Sequence, residues 1–264
     1  MISQKLFQIR QYINYKFKSH HRKGHGVHSP YVFDFVQSIL NTKHNKNSYQ
    51  IIIDLKKDLC KDQNFFELQN IGAGSSSMKN KSQKIGTITT IAGIRNKYGK
   101  ILFNLVNHYK PAKVLELGTS LGLGSIWLAL ANESTHVFTI EGQQSLMEKA
   151  KNNFQKLGLK NISTNSGTFD DNLDKLINEH EFNLVFIDGN HTYEATKRYF
   201  ELLIEKVPNN ALLIFDDIYW SKGMKKAWDE IKTDKRVIVS IDIFQFGIVL
   251  KNRKITPGKY RIRY

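Results

Sequence analysis

The chain has 264 residues, 41% of them hydrophobic and 24% charged, which is enough apolar material for a real core in one large domain or a domain with an appendage. A single cysteine, Cys60, excludes an internal disulfide framework and a cysteine-based zinc cluster, and it lacks the local setting of a nucleophile. The formal charge of +15 is uneven: residues 1–100 hold 17 Lys/Arg against 5 Asp/Glu, residues 101–250 hold 16 against 19, and the tail from Lys251 adds six basic residues and no acid.

Ile2, Leu6, Ile9, Ile13 and Phe17 recur at spacings of three and four and predict an amphipathic helix, with Lys5, Arg10 and Lys16 off its apolar face. No continuous apolar h-region opens the chain, and no stretch nears the ~20 apolar residues that span a bilayer. The expectation is a cytoplasmic protein with no membrane partner. "HHRKGHGVHSP", from His20, is a loop. Its glycines leave the geometry of four histidines open and no acid lies among them, which favours a basic loop over a metal site. "YVFDFVQSIL" predicts a short helix, and "IGAGSSSMKNKSQK" (71–84) has the composition of a mobile loop or lid, or of a passive linker.

From Lys100 the pattern becomes regular. A helix over Ile101–Tyr109 stops before Pro111, and "KVLEL" (113–117), "HVFTI" (136–140), "NISTN", "FNLVFI" and "ALLIF" (211–215) read as strands separated by helices. One of those helices is capped by Gly158. "RVIVSI" and "FGIVLK" look like a closing pair of strands. Strands alternating with ten- to fifteen-residue helices mean βαβ units. The expected fold is α/β, a Rossmann-like doubly wound, seven-stranded, mostly parallel sheet with an antiparallel closing strand, over about residues 95–252. Residues 1–94 would be a basic helical extension and lid, and residues 253–264 a basic tail.

Such sheets bind ligands at the carboxyl ends of their strands. There the first strand delivers Glu116 and the turn "GTSLGLG", the second ends at Glu141, the fourth at Asp188, and the fifth at Asp216 and Asp217. Acids at four strand tips on one rim repel one another unless a cation or hydrogen-bond donors fill the space. The glycines Gly118, Gly122 and Gly124 do not follow the dinucleotide pattern G-x-G-x-x-G. Glu141, however, stands 25 residues after Glu116 at the next strand's end, where an acid grips a ribose hydroxyl pair.

With these motifs the chain resembles the class I S-adenosylmethionine-dependent methyltransferases, and among them the metal-dependent O-methyltransferases of the catechol, caffeoyl-CoA and macrolide-sugar types. "NKYGKILFNLVNHYKPAKVLELGTSLGLGS" resembles the stretch leading into their cofactor motif. "FTIEG" resembles the ribose-binding motif, "NSGTFDD" the segment beside the adenine, and "LVFIDGNHTYEATKRYFELL" and "LLIFDDIYW" the two segments that carry metal ligands. The likeness covers about residues 95–250. Residues 1–94 match only as a substrate-side helical extension, so no substrate is carried over. That extension is expected either to cover the acceptor side or to pair two subunits in a homodimer.

The resemblance implies that Glu116, Gly118, Ser120, Gly122, Glu141, Gly142, Thr168, Phe169 and Asp188 bind S-adenosylmethionine, with Glu141 on the ribose and Thr168 and Phe169 near the adenine. It puts Asp188, Asp216 and Asp217 on the three metal-ligand positions, where oxygen donors suit a hard cation such as Mg²⁺. The catechol type has Asn in place of Asp217 and Lys in place of His191; at both positions this chain agrees with the sugar type. His191, with an ordinary pKa of about 6.5, can take a proton from the acceptor hydroxyl near neutral pH. Its plainer reading is a turn residue that caps the following helix. The expected reaction is methyl transfer to a hydroxyl of a small-molecule acceptor. An RNA methyltransferase of the tRNA hydroxyuridine type, using the basic flanks, is the first alternative, and a module that holds the cofactor without turnover is the second.

Overall fold

The computed structural model describes residues 2–21, 23–42, 49–67 and 82–264. They sort into two compact units, Met1–Asn41 with Glu181–Tyr264, and Thr42–His180. The first unit begins with α1 (Ile2–Lys18) and α2 (Pro30–Asp34), which continues as one π-helical stretch over Phe35–Leu40. The second unit holds α3 (Gln50–Lys61), β1 (Phe65–Glu67), β2 (Ser82–Lys84), α4 (Ile85–Ala92), α5 (Asn96–Tyr109), β3 (Lys113–Leu117), α6 (Leu123–Ala129), β4 (His136–Glu141), α7 (Gln144–Lys156), β5 (Ile162–Ser166) and α8 (Phe169–Glu179). The first unit resumes with β6 (Leu184–Ile187), α9 (Tyr193–Lys206), β7 (Leu212–Phe215), α10 (Lys222–Ile231), β8 (Val239–Asp242), β9 (Gly247–Leu250) and β10 (Gly258–Arg261).

In the 42–180 unit, β3, β4 and β5 run parallel, with Lys113 opposite His136 and Val137 opposite Ile162. Val114, Leu115 and Leu117 of β3 are fully buried, as expected of a parallel strand covered on both faces. α5 begins at Asn96, five residues earlier than its apolar pattern suggests, and stops where Lys110 turns left-handed (φ 46°) ahead of Pro111. A Cβ on Gly99 of α5 would lie 2.2 Å from the Trp127 ring of α6, so the glycine is what lets the two helices approach. The helices α3 and α4 are additions to the sequence reading; they bury Ile52, Leu59, Ile85 and Ile88. The lid segment lies largely outside the described residues, and its end, Ser82–Lys84, pairs with β1.

In the other unit, β6 and β7 are parallel, and β9 runs antiparallel to both β7 and β8, which is the expected closing strand. The fold is α/β with a large, mainly parallel sheet. An eighth strand joins the seven that were expected: the tail forms β10, parallel to β8. Ile262 just beyond it is fully buried, its carbonyl accepts from the Tyr15 hydroxyl of α1, and Arg261 Nε donates to Asp242 Oδ2 at 3.0 Å.

α1 forms as predicted, but its apolar stripe is not its packing face. Leu6 (61%), Ile9 (55%), Ile13 (49%) and Phe17 (81%) are exposed. The opposite side packs instead: Gln4 and Gln8 donate to the Trp220 carbonyl at 3.3 and 2.9 Å, and Tyr15 is fully buried.

Candidate active site

The strand ends of the 42–180 unit build a tight turn against one carboxylate. Between β3 and α6, Gly118 (φ 108°), Ser120 (φ 48°) and Gly122 (φ 83°) are all left-handed, a run that reverses the chain within five residues. Gly122 has no room for a side chain, since a Cβ would sit 2.5 Å from the Phe154 ring. The turn presents Ser120, whose main-chain N–H donates to Glu141 Oε2 at 2.7 Å, while Gln143 N–H donates to Glu141 Oε1 at 2.9 Å and Gly142 adds a further main-chain contact. Each carboxylate oxygen keeps lone pairs for another donor, and Glu141 is only half-buried, so the residues fit a ligand that offers a pair of hydroxyls. Burial raises its pKa and the main-chain donors oppose that. Gly167 N–H bonds the Glu141 carbonyl at 3.0 Å, which brings Thr168 and Phe169 beside it.

Two of the expected cofactor residues have structural duties as well. Thr168 caps α8 in a reciprocal pair with Asp171, so its hydroxyl is engaged within the chain. Glu116 is fully buried; its Oε2 accepts from Ser125 and, at 2.7 Å, from Thr139, while its Oε1 is buried without a partner. Burial pushes the Glu116 carboxyl up to about 7. Neither Ser125 nor Thr139 stands out in the sequence. The strand register, which sets Glu116 opposite Thr139, is what reveals the second.

The strand ends of the other unit gather the remaining acids. Asp188 follows β6, and its Oδ1 lies 3.6 Å from His191 Nε2. Asp216 follows β7 and is buried; its N–H bonds the Ile187 carbonyl, its Oδ1 accepts from Asp217 N–H at 2.6 Å, and its Oδ2 faces Gln245 Nε2 at 3.4 Å. Asp188 is a side-chain hydrogen-bond partner of Asp216. Burial and the Asp217 charge push the Asp216 carboxyl well above the usual range. His191 is moved down by burial, and the Asp217 carboxylate pulls it back up. Asn190 (φ 52°) and Asp217 (φ 54°) are left-handed, a conformation that short polar side chains tolerate.

His191 does not cap α9. That role belongs to Thr192, whose hydroxyl accepts from Ala195 N–H at 3.3 Å, so the plainer reading of the histidine is replaced. The three aspartates are close together and of the donor type that hard cations take. Among the described residues, however, no group of three His, Cys, Asp or Glu side chains is arranged to hold a metal ion. Asp216 has contacts with Asp188, Asp217 and Gln245.

The stretch from Leu115 in β3 to Ile218 after β7 contains Glu116, Glu141, Asp188, His191, Asp216 and Asp217, and residues 115–218 match a family model described as a methyltransferase domain. That part of the chain is similar to a methyltransferase domain. It is also 31% identical over 134 residues to the catechol O-methyltransferase of Mycobacterium tuberculosis, a match that covers 50% of this chain and 60% of that protein. The chain thus spans less than two thirds of the curated relative that it resembles. Among solved structures, an O-methyltransferase of Bacillus cereus in complex with SAH matches with a TM-score of 0.56 and 18% identity, over 83% of this chain and 97% of that one. The O-methyltransferase TomG of Streptomyces achromogenes, solved in complex with SAM, matches with a TM-score of 0.53 and 22% identity, over 60% and 81%. At these identities the structures show a shared fold alone. No helix among the described residues is long and apolar enough to cross a membrane.

Proposed function

We propose that this protein is an S-adenosylmethionine-dependent O-methyltransferase that methylates a hydroxyl of a small-molecule acceptor, with His191 as the base. The observation that carries the assignment is His191 itself: it lies against Asp188 and near Asp217 at the end of β6, while the adjacent helix is capped by Thr192. A histidine with no capping duty, beside the Asp188 and Asp217 carboxylates, supports a role in proton transfer. The catechol O-methyltransferase likeness supports the class of acceptor.

When bound, the cofactor supplies a methyl group on a sulfonium, and it leaves as the neutral thioether. Glu141 would take the ribose hydroxyls, held in place by the Ser120 and Gln143 N–H groups. The Gly118–Gly122 turn would lie under the methionine part, with Thr168 and Phe169 near the adenine. Burial lowers the His191 pKa and the Asp217 charge opposes that; the net lowering favours the neutral imidazole, whose lone pair would take the acceptor's proton. His191 would accept the proton that the acceptor hydroxyl gives up and hold it as the imidazolium. Asp188, 3.6 Å from Nε2, is too far for a good hydrogen bond but near enough to stabilise the resulting imidazolium.

Asp188, Asp216 and Asp217 would be the residues to hold a divalent cation such as Mg²⁺, which would help an acceptor hydroxyl to ionise, and the proposal assigns removal of the proton to His191. The relatives favour neither RNA modification nor a module without turnover. The test is transfer of labelled methyl from S-adenosylmethionine to a panel of catechols, phenols and sugars, in wild type and His191→Ala. Transfer that depends on His191 supports the reading; cofactor binding with no transfer to any hydroxyl compound would overturn it.

A further inference from the structure

We infer that α1 docks this protein onto the surface of an anionic phospholipid bilayer. The helix packs by Gln4, Gln8, Gln11 and Tyr15 and turns its apolar stripe outward as the run of Leu6, Ile9, Ile13 and Phe17. At 100° per residue, Lys5 and Lys16 border one edge of that stripe, and Arg10, Asn14 and Lys18 descend the other at i, i+4 and i+8. α1 contains no acid, and none of the ion pairs among the described residues uses Lys5, Arg10, Lys16 or Lys18.

A second observation stands beside the stripe. Arg10, Gln11, Ile13, Asn14 and Lys18 line an open cavity of about 420 Å³ together with Lys225 of α10. Three cations and two amides, with no acid in the lining, make a seat for an anionic headgroup, although Lys225 is also paired with Asp229. Apolar side chains that enter the acyl boundary, flanked on both edges by long cationic side chains that reach the headgroups, are what an interfacial helix requires. Two copies of α1 would set cation against cation, which disfavours self-pairing through this face. A nucleic acid would be served by the cations but leaves Leu6, Ile9 and Ile13 without a partner. The expectation of no membrane partner rested on the lack of a spanning segment, and a helix that lies in the interface needs none.

The experiment is flotation of the full chain with phosphatidylcholine vesicles, with and without added phosphatidylglycerol, at low and high salt. Binding is expected only to the anionic vesicles, weakening with salt. Ile9→Glu with Ile13→Glu, and separately Arg10→Glu with Lys18→Glu, should each reduce the bound fraction at least about tenfold. All four positions are outside the cofactor and acceptor residues, so thermal midpoint and cofactor affinity should stay as in wild type. Absence of binding to phosphatidylglycerol vesicles overturns the inference. So does binding that the isoleucine variant keeps and the charge variant loses, accompanied by RNA binding with the same dependence, because the face would then be a polyanion site. Dissociation of a dimer by the isoleucine variant in a protein that binds no vesicle would assign the stripe to a second copy.

Discussion

The main-chain N–H of Ser120 donates to the Glu141 carboxylate at 2.7 Å, so the turn after β3 and the end of β4 are tied through the one acid expected to hold a ribose. Replacing Glu141 by Ala leaves that N–H and two ligand hydroxyls unpaired. The affinity for S-adenosylmethionine or its demethylated product should fall by about 1–3 kcal/mol. Calorimetric titration of the folded variant checks this, and an unchanged affinity would move the ribose elsewhere.

His191→Ala should lower turnover by about 10²- to 10⁴-fold while cofactor affinity stays nearly constant. Because burial holds the imidazole below its ordinary value, wild-type turnover should already be on its plateau at neutral pH, with an acid limb below about 6.5. The limb should vanish in the variant. Wild-type turnover with the same limb in His191→Ala would remove the histidine from the chemistry.

Thr192 and His191 are neighbours with different duties, and stability should separate them. Thr192→Ala removes the α9 cap and should destabilise the fold by about 1 kcal/mol. His191→Ala should change stability by less than about 0.5 kcal/mol, as for a substitution that removes no cap. Urea unfolding of both variants decides the matter; the opposite order would return the capping role to the histidine.

Glu116 should make stability depend on pH. Its folded pKa of about 7 lies above the ordinary 4.5, so the folded state holds the proton more tightly than the unfolded chain does. That contribution is complete below pH 4.5 and is lost as pH rises through about 7. Glu116→Gln removes the titration while keeping an acceptor for Ser125 and Thr139. Without cofactor, the unfolding free energy of the variant relative to wild type should therefore rise between pH 5 and pH 8 by up to about 3 kcal/mol. A pH-independent difference would mean that Glu116 is ionised in the fold without penalty.

The order of strands and helices from β3 to β9 could be read from local pattern alone, with element ends differing by a few residues. Apolar runs of four to six residues, helices with 3.6 periodicity, Gly118, Gly122 and Gly158 at left-handed turns and acids at the strand tips are all properties of short stretches of chain. The gathering of Asp188, His191, Asp216 and Asp217 was legible in the same way, because parallel strands necessarily bring their carboxyl ends to one edge.

What neighbours decide was not legible. The stripe of α1 has the spacing of a buried face, but the surface available to the helix offers the Trp220 carbonyl and the Ile262 carbonyl, groups that hydrogen-bond to glutamine and tyrosine. The polar side therefore packs and the apolar side is left to solvent. The basic tail becomes a strand because Asp242 and Tyr219, distant in sequence, receive Arg261. Likewise, the contacts of Asp216 with Gln245 and with the Asp217 main chain could not be read from the spacing of the acids. Periodicity determines which residues share a face. Only the packed chain determines what that face meets, because burial and hydrogen bonding are paid between elements rather than within them.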